Sequence, residues 1–187
     1  MAIWQFHIYF IPRLSLLDKY EHIPQELEMD KEGWSEYFQN GDLETEPNFE
    51  DALTIHWWLN LNLNIAELLP LLQQFGDIQE WTARTESLRS YGDTETNDIS
   101  VCFDSNTSKV QELSCRLDLR KIDKEFIDKA CYLATKFDCL FTDRQGRLFE
   151  PTIKALAETI ELSNASRFVT DPGQFLEDLS LGIVTPE

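Results

Sequence analysis

Positive charge is scarce in this chain. Sixteen Lys and Arg stand against 34 Asp and Glu, a formal net charge of −18 over 187 residues. Binding to nucleic acid or to anionic lipid draws on clustered bases, so the balance argues against both as partners. Glycine is also sparse, with seven residues, and no phosphate loop, G-x-G-x-x-G or G-x-S-x-G occurs. The usual nucleotide cradles and nucleophile elbows are therefore missing. The three histidines, His7, His22 and His56, are too scattered for metal-ligand spacing. The cysteines, Cys102, Cys115, Cys131 and Cys139, have no C-x-x-C pairing and each sits in an apolar run. They read as reduced core thiols. Residues 93–98 lack the central glycine and distal Glu of a calcium loop. No catalytic residue, metal or cofactor is expected. No run approaches the ~20 apolar residues of a membrane span. The apolar first ten residues lack the basic start of a signal peptide, so a cytoplasmic protein is expected.

What is present is a core's worth of apolar residues, 42% of the chain with 12% aromatic, arranged with clear periodicities. Residues 3–11 alternate: Trp4, Phe6, Ile8 and Phe10 point one way, Gln5, His7 and Tyr9 the other. That period of two predicts a strand, ended by Pro12. The runs 98–103 and 110–119 alternate likewise, predicting an antiparallel pair joined by a polar loop. Asp123 predicts a helix start, with Ile122 and Ile127 as a hydrophobic staple and Phe126, Ala130, Cys131, Ala134 and Phe137 on its buried face. A short strand follows at 138–142, turned back by Asp143-Arg144-Gln145-Gly146. If it lies parallel to 110–119 in one sheet, the helix between them is a crossover. Pro151 suits the first turn of a helix burying Ile153, Leu156, Ala157 and Ile160, and Asp171-Pro172 opens a final helix. Residues 50–75 read as helical with a break at Pro70; in 77–97 Trp81 is the strongest anchor. The chain reads as one α+β domain over residues 1–187, a mixed, mainly antiparallel sheet with helices packed on it.

Residues 21–51 stand apart. They hold eleven acids and one base, Lys31, interleaved with Trp34, Tyr37, Phe38 and Phe49. Asp30 predicts a cap for a short helix over 31–39, stopped at Asn40-Gly41. Acids that steer and aromatics that hold are a recurrent way to bind a basic protein surface. The candidate partner-binding residues are Glu26, Glu28, Asp30, Glu32, Trp34, Glu36, Asp42, Glu44 and Glu46. The alternative reading of the same segment is a solvated loop.

Other features divide between structure and function. Trp57-Trp58 is either a pair packed in the core or one ring left out as a partner anchor. Arg116, Asp118 and Arg120 on one strand face are either surface ion pairs or a bidentate anion reader. His56 is either a pocket ligand or an ordinary hydrogen-bonded side chain.

Trp57-Trp58, Trp81, Leu88, Tyr91-Gly92, Asn97-Asp98-Ile99-Ser100-Val101, Arg116-Leu117-Asp118-Leu119-Arg120, Phe126-Ile127 and Asp138-Cys139-Leu140 together resemble a group of small bacterial proteins similar to the immunity proteins of toxin systems. The resemblance covers about residues 50–180, outside the acidic segment. It implies an α+β fold and a cognate toxin as partner, and carries over no active-site residues. The expected function is that of an acidic binding protein that blocks a basic toxin by electrostatic and steric occlusion. Two other classes stay open. A hydrolase or small-ligand-binding enzyme would show a pocket of converging ionisable groups. A homo-oligomeric structural protein would show a flat apolar patch.

Overall fold

A computed structural model describes residues 3–40 and 47–184 of the chain. The alternating start forms strand β1 (Gln5–Pro12), followed at once by helix α1 (Arg13–Tyr20). Helix α2 (Lys31–Asn40) lies within the acidic segment. Helices α3 (Ile65–Leu72) and α4 (Glu80–Ala83) lead to three strands, β2 (Leu88–Gly92), β3 (Asp98–Phe103) and β4 (Val110–Asp118). Helix α5 (Lys124–Lys136) precedes β5 (Cys139–Thr142) and β6 (Leu148–Phe149). Three helices close the described chain: α6 (Ile153–Glu161), α7 (Asn164–Thr170) and α8 (Pro172–Ser180). The architecture is α+β. Among the described residues, no helix is long and apolar enough to cross a membrane.

The strands form one sheet in the order β2-β3-β4-β1-β5-β6, and every neighbouring pair is antiparallel. Because β4 and β5 both run against β1, they are parallel to each other with β1 inserted between them, and α5 is their crossover. The register puts Phe6 beside Leu117, Ile8 beside Cys115 and Phe10 beside Phe141 on one face. Ile99 and Val101 extend that face across β3. These side chains are buried and form the core with Phe126, Ile127, Ala130, Leu133 and Ala134 of α5. The other face is polar: His7 pairs with Arg116, Tyr9 with Ser114, Asp98 with Arg116, and Cys102 with Glu112.

Caps behave as their residue types dictate. Asp123 accepts from the Phe126 amide at 3.0 Å, and Asp30 from the Gly33 amide at 2.8 Å. Ile122 stays 58% exposed, so it adds little to the start of α5. Pro70 lies inside α3, where it removes the bond to the Ala66 carbonyl, and the helix stops two residues later.

Several expectations are corrected. Trp57 and Trp58 lie in turns, not on a helix, because each indole N–H reaches its own backbone acceptor. Trp57 donates to Ala52 O and Trp58 to Phe10 O, both at 2.8 Å. Both rings are buried, so neither is an exposed anchor. Trp81 is 59% exposed, its indole N–H satisfied by Gln79 Oε1, and the anchor of that region is Tyr91, buried on the core face of β2. Thr152, not Pro151, sets the start of α6, accepting from the Ala155 amide. The stripe therefore rotates: Leu156 is buried while Ile153 and Ala157 are exposed.

Candidate functional site

The acidic segment is stitched into the body of the protein at three places. Leu27 is buried, its amide bonded to Gly146 O at 2.8 Å, and Glu26 forms a β-bridge with Arg147. Gly146 is required there. Its φ is +81°, and a Cβ would lie 2.3 Å from Leu27 O. The Ala52 amide closes a second contact onto Glu28 O. The third is Asp51, a buried carboxylate with four donors: Trp34 Nε1 at 2.6 Å and the Asp30 amide at 3.1 Å on one oxygen, the Leu53 and Thr54 amides on the other. The described part of the segment is thus a fixed surface.

Helical spacing sorts α2 into two faces. Glu32 and Glu36, four residues apart, share the outer one. Trp34, Tyr37 and Phe38 point the other way, where Trp34 stacks on Phe38 at 5.6 Å and meets Phe49 edge-on at 5.1 Å. Gly33 permits this closeness, since a Cβ there would lie 2.7 Å from the Phe49 ring. Phe38 nevertheless stays 63% exposed at the edge of the cluster. Acids and aromatics therefore lie on opposite flanks of the helix, and Phe38 is the aromatic of this cluster that reaches solvent.

Of the nine residues named from sequence, Glu26, Glu28, Glu32 and Glu36 are exposed and form no ion pair among the described residues. Asp30 is half-buried as the α2 cap, and Trp34 is half-buried with its indole tied to Asp51. Asp42, Glu44 and Glu46 lie outside the described residues. Glu28 joins Glu50 in raising the pKa of Lys19, which pairs with Glu50 at 2.6 Å; the Lys19–Glu50 hydrogen bond is the largest cause.

The remaining candidates are used structurally. Arg116 chelates the buried Asp98, which also accepts from Gln79 and Ser90. Arg120 pairs with Asp118 at 2.8 Å and lies 4.3 Å over the Trp4 ring, and its hydrogen bonds hold the Asp118 carboxyl below its usual value. His56 is exposed, and His22 bonds Tyr20 O. The cysteines are free, and burial pushes Cys102 up to about 12 and Cys131 to about 11. Among the described residues no group of three or more His, Cys, Asp or Glu is placed to hold a metal.

One cluster escaped the sequence reading. On the polar face of the sheet, His7 stacks on Tyr9 at 4.8 Å, and Arg144 lies beside both and beside Glu112. Burial pushes the Glu112 carboxyl up to about 7, against the Ser114 hydroxyl bond and the Arg144 charge. Burial, then Arg144 and Arg116, drives His7 well below its ordinary value. His7 Nδ1 and Arg144 Nε are buried with no hydrogen-bond partner among the described residues. The available signal was the polar half of the alternation in β1 and β4, which reads as a solvated face when the covering elements are unknown. No family model, curated protein or solved structure matches the chain.

Proposed function

We propose that the protein is an acidic binding protein that covers a basic protein surface, its partner being a toxin domain that acts on nucleic acid. Such a domain carries a cationic groove for phosphates, and carboxylates laid into that groove exclude the substrate. The observation that carries the reading is the set of exposed carboxylates Glu28, Glu32 and Glu36, without an ion pair among the described residues, on a surface held in place by Asp51, with Phe38 exposed on the other flank of α2. Prefixed charges speed encounter without the entropic cost of ordering a loop, and an exposed aromatic supplies short-range contact. The setting would be the cytoplasm of the cell that makes the toxin.

The test uses the full chain as bait in its native host, followed by binding kinetics with the recovered basic protein. Reversing Glu28, Glu32 and Glu36 to Lys is expected to slow association by at least ~10-fold at low salt, flattening its salt dependence. The unfolding midpoint should stay nearly constant, because these side chains are exposed. Undiminished association by the triple variant would end this assignment.

A second reading, a small-ligand enzyme, draws on the cluster around Glu112. A carboxyl that titrates near neutrality beside a guanidinium, Arg144, that forms no ion pair among the described residues is the combination a general acid and an anion-orienting group require. Hydrolysis of generic ester or phosphoester chromogens that disappears in Glu112→Gln would favour it over the binding role.

A further inference from the structure

Four stretches distant in sequence meet at a cleft of about 460 Å³: Glu26 and Lys31 at the start of α2, Gln145 and Arg147 across the bridge from Glu26, the α6–α7 junction with Leu162 and Arg167, and Ile183 after α8. The volume falls in the range that accepts a small organic molecule. Its charge runs against the rest of the protein. Acids outnumber bases 34 to 16 over the chain, yet the lining holds three bases, Lys31, Arg147 and Arg167, and one acid, Glu26.

Two of those bases, Lys31 and Arg167, have no carboxylate partner among the described residues. Lys31 Nζ bonds a neutral partner, Gln145 Oε1, at 3.0 Å. Arg167 has no ion pair among the described residues. Arg147 donates through Nε to Asp143 at 2.7 Å. Its Nη2 pairs with the same carboxylate at 2.5 Å, so Arg147 is a fixed cation at the wall of the cleft. A guanidinium without a carboxylate partner, as at Arg167, favours a planar anion. Beside the bases, Leu162 and Ile183 stand 69% and 65% exposed, an apolar wall on the same cleft.

We propose that this cleft binds a small organic carboxylate with an apolar body. The carboxylate would lie between Arg147, Arg167 and Lys31, and the body would rest on Leu162 and Ile183. Glu26 and the high overall negative charge select a monoanion over a phosphate dianion, because each further negative charge adds repulsion. The site is separate from the outer face of α2, and Glu28, Glu32 and Glu36 do not line it.

The experiment is a titration of the isotopically labelled full chain with octanoate, followed through backbone amide resonances, with octanol and inorganic phosphate as controls. Octanoate is expected to shift the amides of Gln145, Arg147, Arg167 and Ile183 saturably. Octanol should lack the charge for tight binding, and phosphate the apolar body. Arg167→Gln, an exposed helix position, should weaken octanoate by about 10-fold, the scale of one charge-assisted hydrogen bond, while leaving the folded spectrum intact. Absence of saturable shifts at these amides, equal binding of octanol or phosphate, or octanoate affinity unchanged in Arg167→Gln would each overturn the proposal. Lys31→Gln gives a second reading of the same loss from the opposite wall.

Discussion

Asp51→Ala is expected to lower stability by ~3 kcal/mol and the melting temperature by about 6–12 °C, a large effect for one side chain at the edge of the acidic segment. Asp51 is only 3% exposed and accepts from Trp34 Nε1 and from the amides of Asp30, Leu53 and Thr54. Removing the acceptor leaves four donors to find water or remain unpaired, and a buried unpaired donor costs about 1–3 kcal/mol. The full sum is not expected, because the turn at 51–54 can relax and admit solvent. Asp51→Asn should recover part of the loss. Its amide carbonyl serves one pair of donors, while its NH₂ confronts the other. Trp34→Phe removes one donor and keeps the ring contacts, so it should cost closer to ~1 kcal/mol. If Asp51→Ala melted within a degree of the parent, the acidic surface would be held by something other than this carboxylate. Its charges would then not be presented on a fixed scaffold.

The same residue shows where sequence reasoning stops. Asp51 was one acid among eleven in its segment, with nothing local to mark it as the acid turned inward. Features decided within a few residues were readable: the caps at Asp30 and Asp123, the turn at Asp143-Arg144-Gln145-Gly146, and the alternation of β1, β3 and β4. Features decided by distant partners were not. β1 occupies the middle of the sheet because β4 and β5 close on either side of it, an order no periodicity reports. The tryptophan pair suggested a helix, but the acceptors for its indole donors, Ala52 O and Phe10 O, required turns. Helix α7 starts from a Ser163 cap in a stretch with no strong apolar stripe, so its spacing gave no signal. For the candidate site, the acidic composition was legible, but the separation of acids and aromatics onto opposite flanks of α2 emerged only once the helix had been placed. The polar face of the sheet was legible as alternation. Its partial burial, which shifts Glu112 and His7, depended on elements elsewhere in the chain.

That burial leads to a pH dependence of distinctive shape. The Glu112 carboxyl is pushed up to about 7 in the folded protein, against about 4.5 for an ordinary one. The folded state therefore holds its proton more tightly than the unfolded chain. The associated stability is full below pH ~4.5, falls as pH rises, and is gone above ~7, a loss of up to ~3 kcal/mol at 1.36 kcal/mol per pH unit. His7 works in the opposite sense. Its folded value is driven well below 6.5 by burial, then by Arg144 and Arg116, so stability present above pH ~6.5 is lost as pH falls. Tyr9 and Cys102, which also face this cluster, are both pushed to about 12 and stay neutral throughout. Asp118, held low by Arg120, loses its share only at more acid pH. Between pH ~4.5 and ~6.5 the Glu112 and His7 slopes oppose each other, so the parent protein should show little change in urea midpoint there. Glu112→Gln keeps an acceptor for the Ser114 hydroxyl and removes the titration. It should match the parent near pH 5, exceed it by up to ~3 kcal/mol at pH 8, and lose stability steadily as pH drops below 6.5, now that nothing offsets His7. Urea midpoints at pH 5, 6, 7 and 8 decide the matter. Parallel curves for parent and variant would mean that Glu112 ionises at its ordinary value in contact with water, and the cluster would lose its claim to be a dry, poised site.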